Sequence, residues 1–143
     1  MKVLIDADAC PVVNIAVAQC KARQIECILI CDTAHRMERD WAQTVIIDKG
    51  ADSADFALAN RVQSGDIVIT QDYGLASMCL AKGGRVLHPD GWEYTPWNID
   101  ALLFERHEAR KIRDSGGRIK GPGKRTHQQD TAFSQAFQKM LQG

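Results

Sequence analysis

Val3-Leu4-Ile5-Asp6-Ala7-Asp8 decides the fold: a short apolar run followed at once by two carboxylates. Such a run reads as a buried strand, and in an open parallel α/β sheet ligands gather at the carboxyl ends of the strands. Two like charges so close repel each other and raise one pKa, unless a cation neutralises them. A hard divalent cation held by carboxylate oxygens does so. The plainer alternative is that Asp8 caps a helix opening at Pro11 and Asp6 is a solvated loop residue. Where the other acidic residues fall decides between the two.

Strands and helices alternate along the chain, the pattern of a parallel sheet. The predicted strands are Lys2–Asp6, Glu26–Cys31, Thr44–Asp48, Asp66–Thr70 and Arg85–Leu87. Between them fall helices at Pro11–Arg23, Asp52–Gln63 and Tyr73–Lys82, the last stopped by Gly83-Gly84. Phe56, Ala59 and Asn60 share helical spacing in the second, with Leu58 and Val62 alongside. Ala34–Trp41 is polar and reads as a short helix. After the turn Pro89-Asp90-Gly91 come Trp92, Tyr94 and Trp97, expected to pin a surface extension to the core rather than to stack bases. Asn98 then caps a helix to Arg113, with Ile99, Leu102, Leu103 and Ile112 inward. A last amphipathic helix, about Gln129–Leu141, carries Phe133, Phe137, Met140 and Leu141.

On this scheme Asp6 and Asp8 follow strand one, Asp72 follows strand four, and Asp52 and Asp55 open the helix after strand three. If strands one and four are neighbours, Asp6, Asp8 and Asp72 converge at the switch point. Converging carboxylates with no nearby lysine call for Mg²⁺ or Mn²⁺. Each also has a structural alternative: Asp52 and Asp55 fit a capping box, and Asp72 fits an N-cap. Their joint location on one rim favours the metal site.

The chain of 143 residues, 45% hydrophobic and 25% charged, suits one soluble domain over 1–143, with a core to about residue 90 and an extension beyond it. No apolar run approaches a membrane span, and no basic leader with a cleavage site opens the chain, so a cytoplasmic location and no membrane contact are expected. The five cysteines form no CxxC pair and the four histidines no zinc spacing. Cys27 and Cys31 share a strand face as small core residues, and Cys10, beside carboxylates, is a poor nucleophile. Overall neutrality conceals an asymmetry: residues 1–104 hold 9 Lys and Arg against 14 Asp and Glu, whereas residues 105–127 hold 8 against 3. An acidic body followed by a basic segment suits a metal and a polyanion. Gly121-Pro-Gly-Lys-Arg-Thr126 fails the phosphate-loop pattern, because Arg118 replaces the first glycine and Arg125 precedes the threonine.

Asp6-Ala-Asp-Ala-Cys-Pro-Val12, Gly50-Ala-Asp-Ser-Ala-Asp55, Ile69-Thr-Gln-Asp-Tyr-Gly-Leu-Ala76 and Gly121-Pro-Gly123 together resemble the bacterial YaiI/YqxD family. That resemblance implies a PIN-like, three-layer α/β/α fold with a mostly parallel sheet of order 3-2-1-4-5 and a helical C-terminal extension. It implies Mg²⁺ or Mn²⁺ at Asp6, Asp55 and Asp72, with Asp8 and Asp52 as additional carboxylates and Ser53 and Thr70 as polar neighbours. Only one acidic residue follows strand four, and the long extension departs from the PIN pattern.

The expected activity is metal-dependent hydrolysis of phosphodiester bonds, in RNA, with Asp6, Asp8, Asp55 and Asp72 as catalytic and metal-binding residues. Arg110, Lys111, Arg113, Lys120, Lys124 and Arg125 are the expected contacts to the phosphate backbone. Two rivals stand beside it. One is a haloacid-dehalogenase-type phosphatase with Asp6 as nucleophile and Asp8 as acid/base, which Lys49 and Asp52/Asp55 fit loosely. The other is a binding module without catalysis. The sequence leaves the oligomeric state open.

Overall fold

The computed structural model describes residues 1–48, 53–116 and 123–143. Its centre is a six-stranded sheet made of β1 (Val3–Asp6), β2 (Cys27–Asp32), β3 (Gln43–Ile47), β4 (Ile67–Ile69), β5 (Arg85–Leu87) and β6 (Glu93–Tyr94). The strand order is β3-β2-β1-β4-β5-β6, with β6 antiparallel to β5 and every other pair parallel. The expected order 3-2-1-4-5 is therefore present, with one short strand added at the edge.

The helices are α1 (Val13–Ala22), α2 (Ser53–Arg61), α3 (Tyr73–Ala81), α4 (Ile99–Asp114) and α5 (His127–Leu141). Alternation along each strand assigns them to two layers, because successive side chains point to opposite faces. Val3, Ile5, Leu29 and Ile69 pack with Val13, Ala16 and Val17 of α1 and with Phe133 and Phe137 of α5. Leu4, Ile30 and Val68 face the other way, onto Leu58 of α2, Leu75 and Cys79 of α3 and Ile99 of α4. Covered on both faces, β1, β2 and β4 are apolar almost without interruption, as buried parallel strands must be. Cys27 and Cys31 lie on one face, in the same cluster as Cys20.

The C-terminal segment belongs to this core. Phe133 and Phe137 are fully buried, with ring centroids 5.4 Å apart, and Gln19 Nε2 of α1 donates to Ser134 O and Oγ of α5. Thr126 starts α5 with a reciprocal capping box to Gln129. The close approach has one strict requirement at Gly91, whose φ is +93° and where a Cβ would lie 2.6 Å from the carbonyl carbon of Ala132.

Several expectations are corrected. Ala34–Trp41 holds only a single 3₁₀ turn, Thr33–His35, because its apolar residues are too few to cover a helix face. The predicted surface turn after His88 leads directly into β6. There Tyr94 is buried, its hydroxyl donating to Thr70 O, and Trp92 stacks on His88 at 4.4 Å. Trp97 pins nothing and is 89% exposed. Phe56, Asn60 and Ile112 face solvent instead of the core, since helical spacing identifies a stripe without saying which stripe is covered. Among the described residues, no helix is long and apolar enough to cross a membrane.

Candidate functional site

β1 and β4 are hydrogen-bonded neighbours, so the chain's change of direction across the sheet falls between them. Asp6 is the last residue of β1, and Thr70, Gln71 and Asp72 follow β4. The two loops bound a cleft of about 430 Å³ lined by Asp6, Asp8, Ala9, Gln71, Asp72 and Tyr73. Gln71 Nε2 donates to Ala9 O at 3.0 Å and ties one loop to the other. Ala9 itself has a φ of 59°, an uncommon conformation for a residue with a Cβ.

Thr70 is the pivot. Its buried hydroxyl donates to Asp6 Oδ2 at 2.8 Å and accepts from Asp72 N–H at 3.0 Å. One side chain thus fixes the carboxylate of the first strand and the backbone that presents the carboxylate of the fourth. Burial pushes the Asp6 carboxyl up to about 6; the Thr70 hydrogen bond opposes this, and the charges of Asp72 and Asp8 add to it. Asp6 therefore feels the like charges of both Asp72 and Asp8.

Asp72 Oδ1 also accepts from Gly74 N–H and Leu75 N–H, making it the N-cap of α3. Capping and cleft-lining, set against each other in the sequence, are combined in one residue. Asp8 does not cap α1. That helix begins after Val12 without any side-chain cap, and the Asp8 carboxylate accepts the N–H of Asp32 instead, at 3.1 and 3.3 Å. Burial raises the Asp8 pKa, the Asp32 N–H lowers it, and the Asp32 charge raises it further.

Asp55 stands in the first turn of α2, half-buried. Burial pushes the Cys79 thiol of α3 up to about 12; Lys82 opposes this, and the charges of Asp55 and Asp6 add to it, while Asp55 is not among the residues that line the cleft. Lys49, Asp52 and Lys120 lie outside the described residues, as does any role of the Ser53 side chain. Cys10 is pushed up to about 11, first by burial and then by Asp6, which makes it a poor thiolate.

Among the described basic residues, none lines the cleft. Arg110, Lys111 and Arg113 lie on the outer end of α4, where every residue from Arg110 to Gly116 is exposed. Lys124 lines a separate depression with Asp90, Thr126 and Gln129. Arg125 is engaged structurally: it donates to Asp90 Oδ1 at 2.9 Å, Asp130 Oδ1 at 2.6 Å and Pro89 O at 2.7 Å. Its guanidinium ties the loop after β5 to the start of α5.

Sequence reasoning missed Asp32 and His35. Asp32 ends β2 beside Asp8, and its Oδ1 accepts from Ala34 N–H, His35 N–H and His35 Nδ1. The signal was available, because Asp32 directly follows the apolar run Ile28–Cys31, as Asp6 follows Val3–Ile5.

Fold and cleft define a doubly wound α/β protein whose switch point carries carboxylate oxygens and, among the lining residues, no cation. That donor set fits a hard divalent ion. The chain belongs to the family described as "Uncharacterized BCR, YaiI/YqxD family", whose profile matches residues 4–143. It is similar to the UPF0178 protein of Exiguobacterium sibiricum, 49% identical over 99% of this chain and 96% of the relative. The UPF0178 proteins of Ruminiclostridium cellulolyticum and Clostridium acetobutylicum are 48% and 45% identical, over 96% and 99% of this chain and 90% and 97% of theirs.

Proposed function

We propose that this chain is a PIN-like hydrolase of phosphodiester bonds, dependent on Mg²⁺ or Mn²⁺ and acting on RNA. The observation that carries this reading is the meeting of Asp6, Asp8 and Asp72 in one cleft between β1 and β4, with Thr70 bonded to both loops. These three, with Asp55 from α2, would hold the cation. Bound there, the ion would acidify a water and offset charge on the reacting phosphate.

The rest is supplied by the chain. Thr70 holds Asp6 in one rotamer, and the Asp72 cap fixes the second carboxylate to α3. Gln71 keeps the two loops at a constant separation. Burial and the neighbouring carboxylates raise the Asp6 carboxyl in the metal-free chain, and a bound cation would offset that charge, so Asp6 is suited to be a ligand. Arg110, Lys111, Arg113 and Lys124 are proposed to attract the polyanion from outside the cleft.

The test is cleavage of an end-labelled single-stranded RNA with Mn²⁺. Wild type is expected to cut, chelation to stop it, and Asp6→Asn or Asp72→Asn to slow it at least 100-fold. Cleavage that survives Asp6→Asn, or that ignores chelation, would point to a contaminant and remove the reading. An aspartyl-phosphate mimic on Asp6, trapped with beryllofluoride, would instead favour the phosphatase.

A further inference from the structure

A second group of ligand-type side chains adjoins the cleft at the carboxyl end of β2 and shares Asp8 with it. Asp8, Asp32 and His35 each bring one ligand atom into a group whose members all lie within 4.8 Å of one another. Local structure forces the meeting. Asp32 ends β2 and serves as N-cap of the 3₁₀ turn, which swings His35 back over it. The Asp32 N–H holds the Asp8 carboxylate from the neighbouring strand, so the two acids cannot drift apart. His35 Nδ1 then stands 2.8 Å from Asp32 Oδ1 and 3.9 Å from Asp8 Oδ1.

The distribution of donors on Asp32 is uneven. Ala34 N–H, His35 N–H and the His35 ring all fall on Oδ1. Among the described residues Oδ2 accepts no hydrogen bond, and the side chain is 18% exposed. Open to solvent and engaged by no donor among the described residues, that oxygen can take a cation without giving up an existing bond.

The geometry points to a transition-metal site in which Asp8, Asp32 and His35 bind a divalent cation of the Zn²⁺ or Co²⁺ type, next to the cleft and sharing Asp8 with it. The imidazole decides the class: nitrogen with carboxylate oxygens suits borderline transition ions, whereas Mg²⁺ prefers oxygen alone. Bonds of about 2.0–2.2 Å place the ligands of a tetrahedral ion roughly 3.3–3.6 Å apart. His35 Nδ1 now spends its reach on a 2.8 Å hydrogen bond to Asp32 Oδ1 and stands 3.9 Å from Asp8 Oδ1; the ring, 57% exposed, has room to exchange that bond for an ion. Water would complete the coordination from the solvent side. The ion would clamp the 3₁₀ turn to the loop after β1, and it does not depend on any hydrolytic role for Asp6.

The experiment titrates the full chain with Co²⁺ and follows visible absorption, with Mg²⁺-dependent melting as a parallel measurement. Because Asp8 serves both sites, Asp8→Asn discriminates nothing and is left aside. Wild type should bind Co²⁺ saturably, and His35→Asn and Asp32→Asn should each weaken it tenfold or more. Asp6→Asn and Asp72→Asn should leave it within twofold. His35→Asn should also keep whatever Mg²⁺ shift in melting the wild type shows, which separates this site from the cleft. A variant that fails to fold is bypassed by imidazole nitrogen resonances of wild type: Zn²⁺ should move those of His35 and spare His88, His107 and His127. No saturable Co²⁺ binding by wild type, full binding by His35→Asn, a loss confined to Asp6→Asn, or an unmoved His35 would each overturn the proposal.

Discussion

At the scale of single residues, Asp6 dominates, and its burial makes a pH prediction with a definite sign. Its carboxyl titrates near 3.8 in the unfolded chain and at about 6 in the folded one. Between those values the folded state holds more protons there, so stability attributable to Asp6 is complete below about pH 4 and is lost as pH rises through 6. In chelator at pH 8, Asp6→Asn should therefore be more stable than wild type by on the order of 2 kcal/mol. At pH 3.5 the two should converge. Denaturant titrations at both pH values measure this, and an equal gap at each would mean the carboxyl is not raised. With Mn²⁺ present the ordering should reverse at neutral pH, since only wild type gains stabilisation by a bound ion. Thr70 gives a second test. Thr70→Val keeps the shape but removes the bonds to Asp6 and to Asp72 N–H, leaving a buried donor without a partner. A loss of about 2 kcal/mol is expected, recovered by Thr70→Ser. If Val and Ser behave alike, the hydroxyl is not the pivot.

At the scale of elements, the parts that sequence reveals best are those with the simplest physics. Strands buried on both faces announce themselves by unbroken apolar runs, and Val3–Ile5 and Ile28–Cys31 do so. Strand alternation predicts a switch point without saying which strands flank it; the order that makes β1 and β4 neighbours came from the family resemblance, and with it the meeting of Asp6 and Asp72. β6 was not legible, because two residues carry no periodicity and its pairing with β5 depends on a turn. Asp32 is marked by its place after the apolar run Ile28–Cys31, but its pairing with Asp8 rests on the Asp32 N–H reaching the Asp8 carboxylate from the next strand, which no local pattern encodes. Arg125 was read as a phosphate contact because charge shows in a sequence and partners do not. Its bonds to Pro89, Asp90 and Asp130 make it a fastener between the β5 loop and α5. Gly91 completes that junction. Gly91→Ala would press a Cβ against the α5 backbone at Ala132 and force an unfavourable φ, at a cost of about 3 kcal/mol. Thermal unfolding should show the drop with Asp6 chemistry unchanged; a neutral Gly91→Ala would mean that α5 is free to shift away.

At the scale of the whole molecule, zero formal charge hides two regions of opposite sign. The acidic cleft alone would repel a polyanion, so any nucleic acid must be held by charge elsewhere. Among the described residues the outer end of α4 is one such place: Arg110, Lys111 and Arg113 are exposed there, and Lys111 is paired only loosely with Glu108 at 3.5 Å. Cations at a helix C-terminus also favour that helix, so a purely structural role for them competes with the binding role. The two are separable. Each phosphate contact on a single strand contributes about 0.7 to the slope of log affinity against log salt. Changing Arg110, Lys111 and Arg113 together to Gln should flatten the slope by about two and weaken RNA binding at low salt, with little loss of stability. If they serve only the helix, the triple variant should melt lower while its RNA affinity and salt slope stay those of wild type. Binding isotherms at several salt concentrations, beside a melting curve, decide which task the basic end of α4 performs.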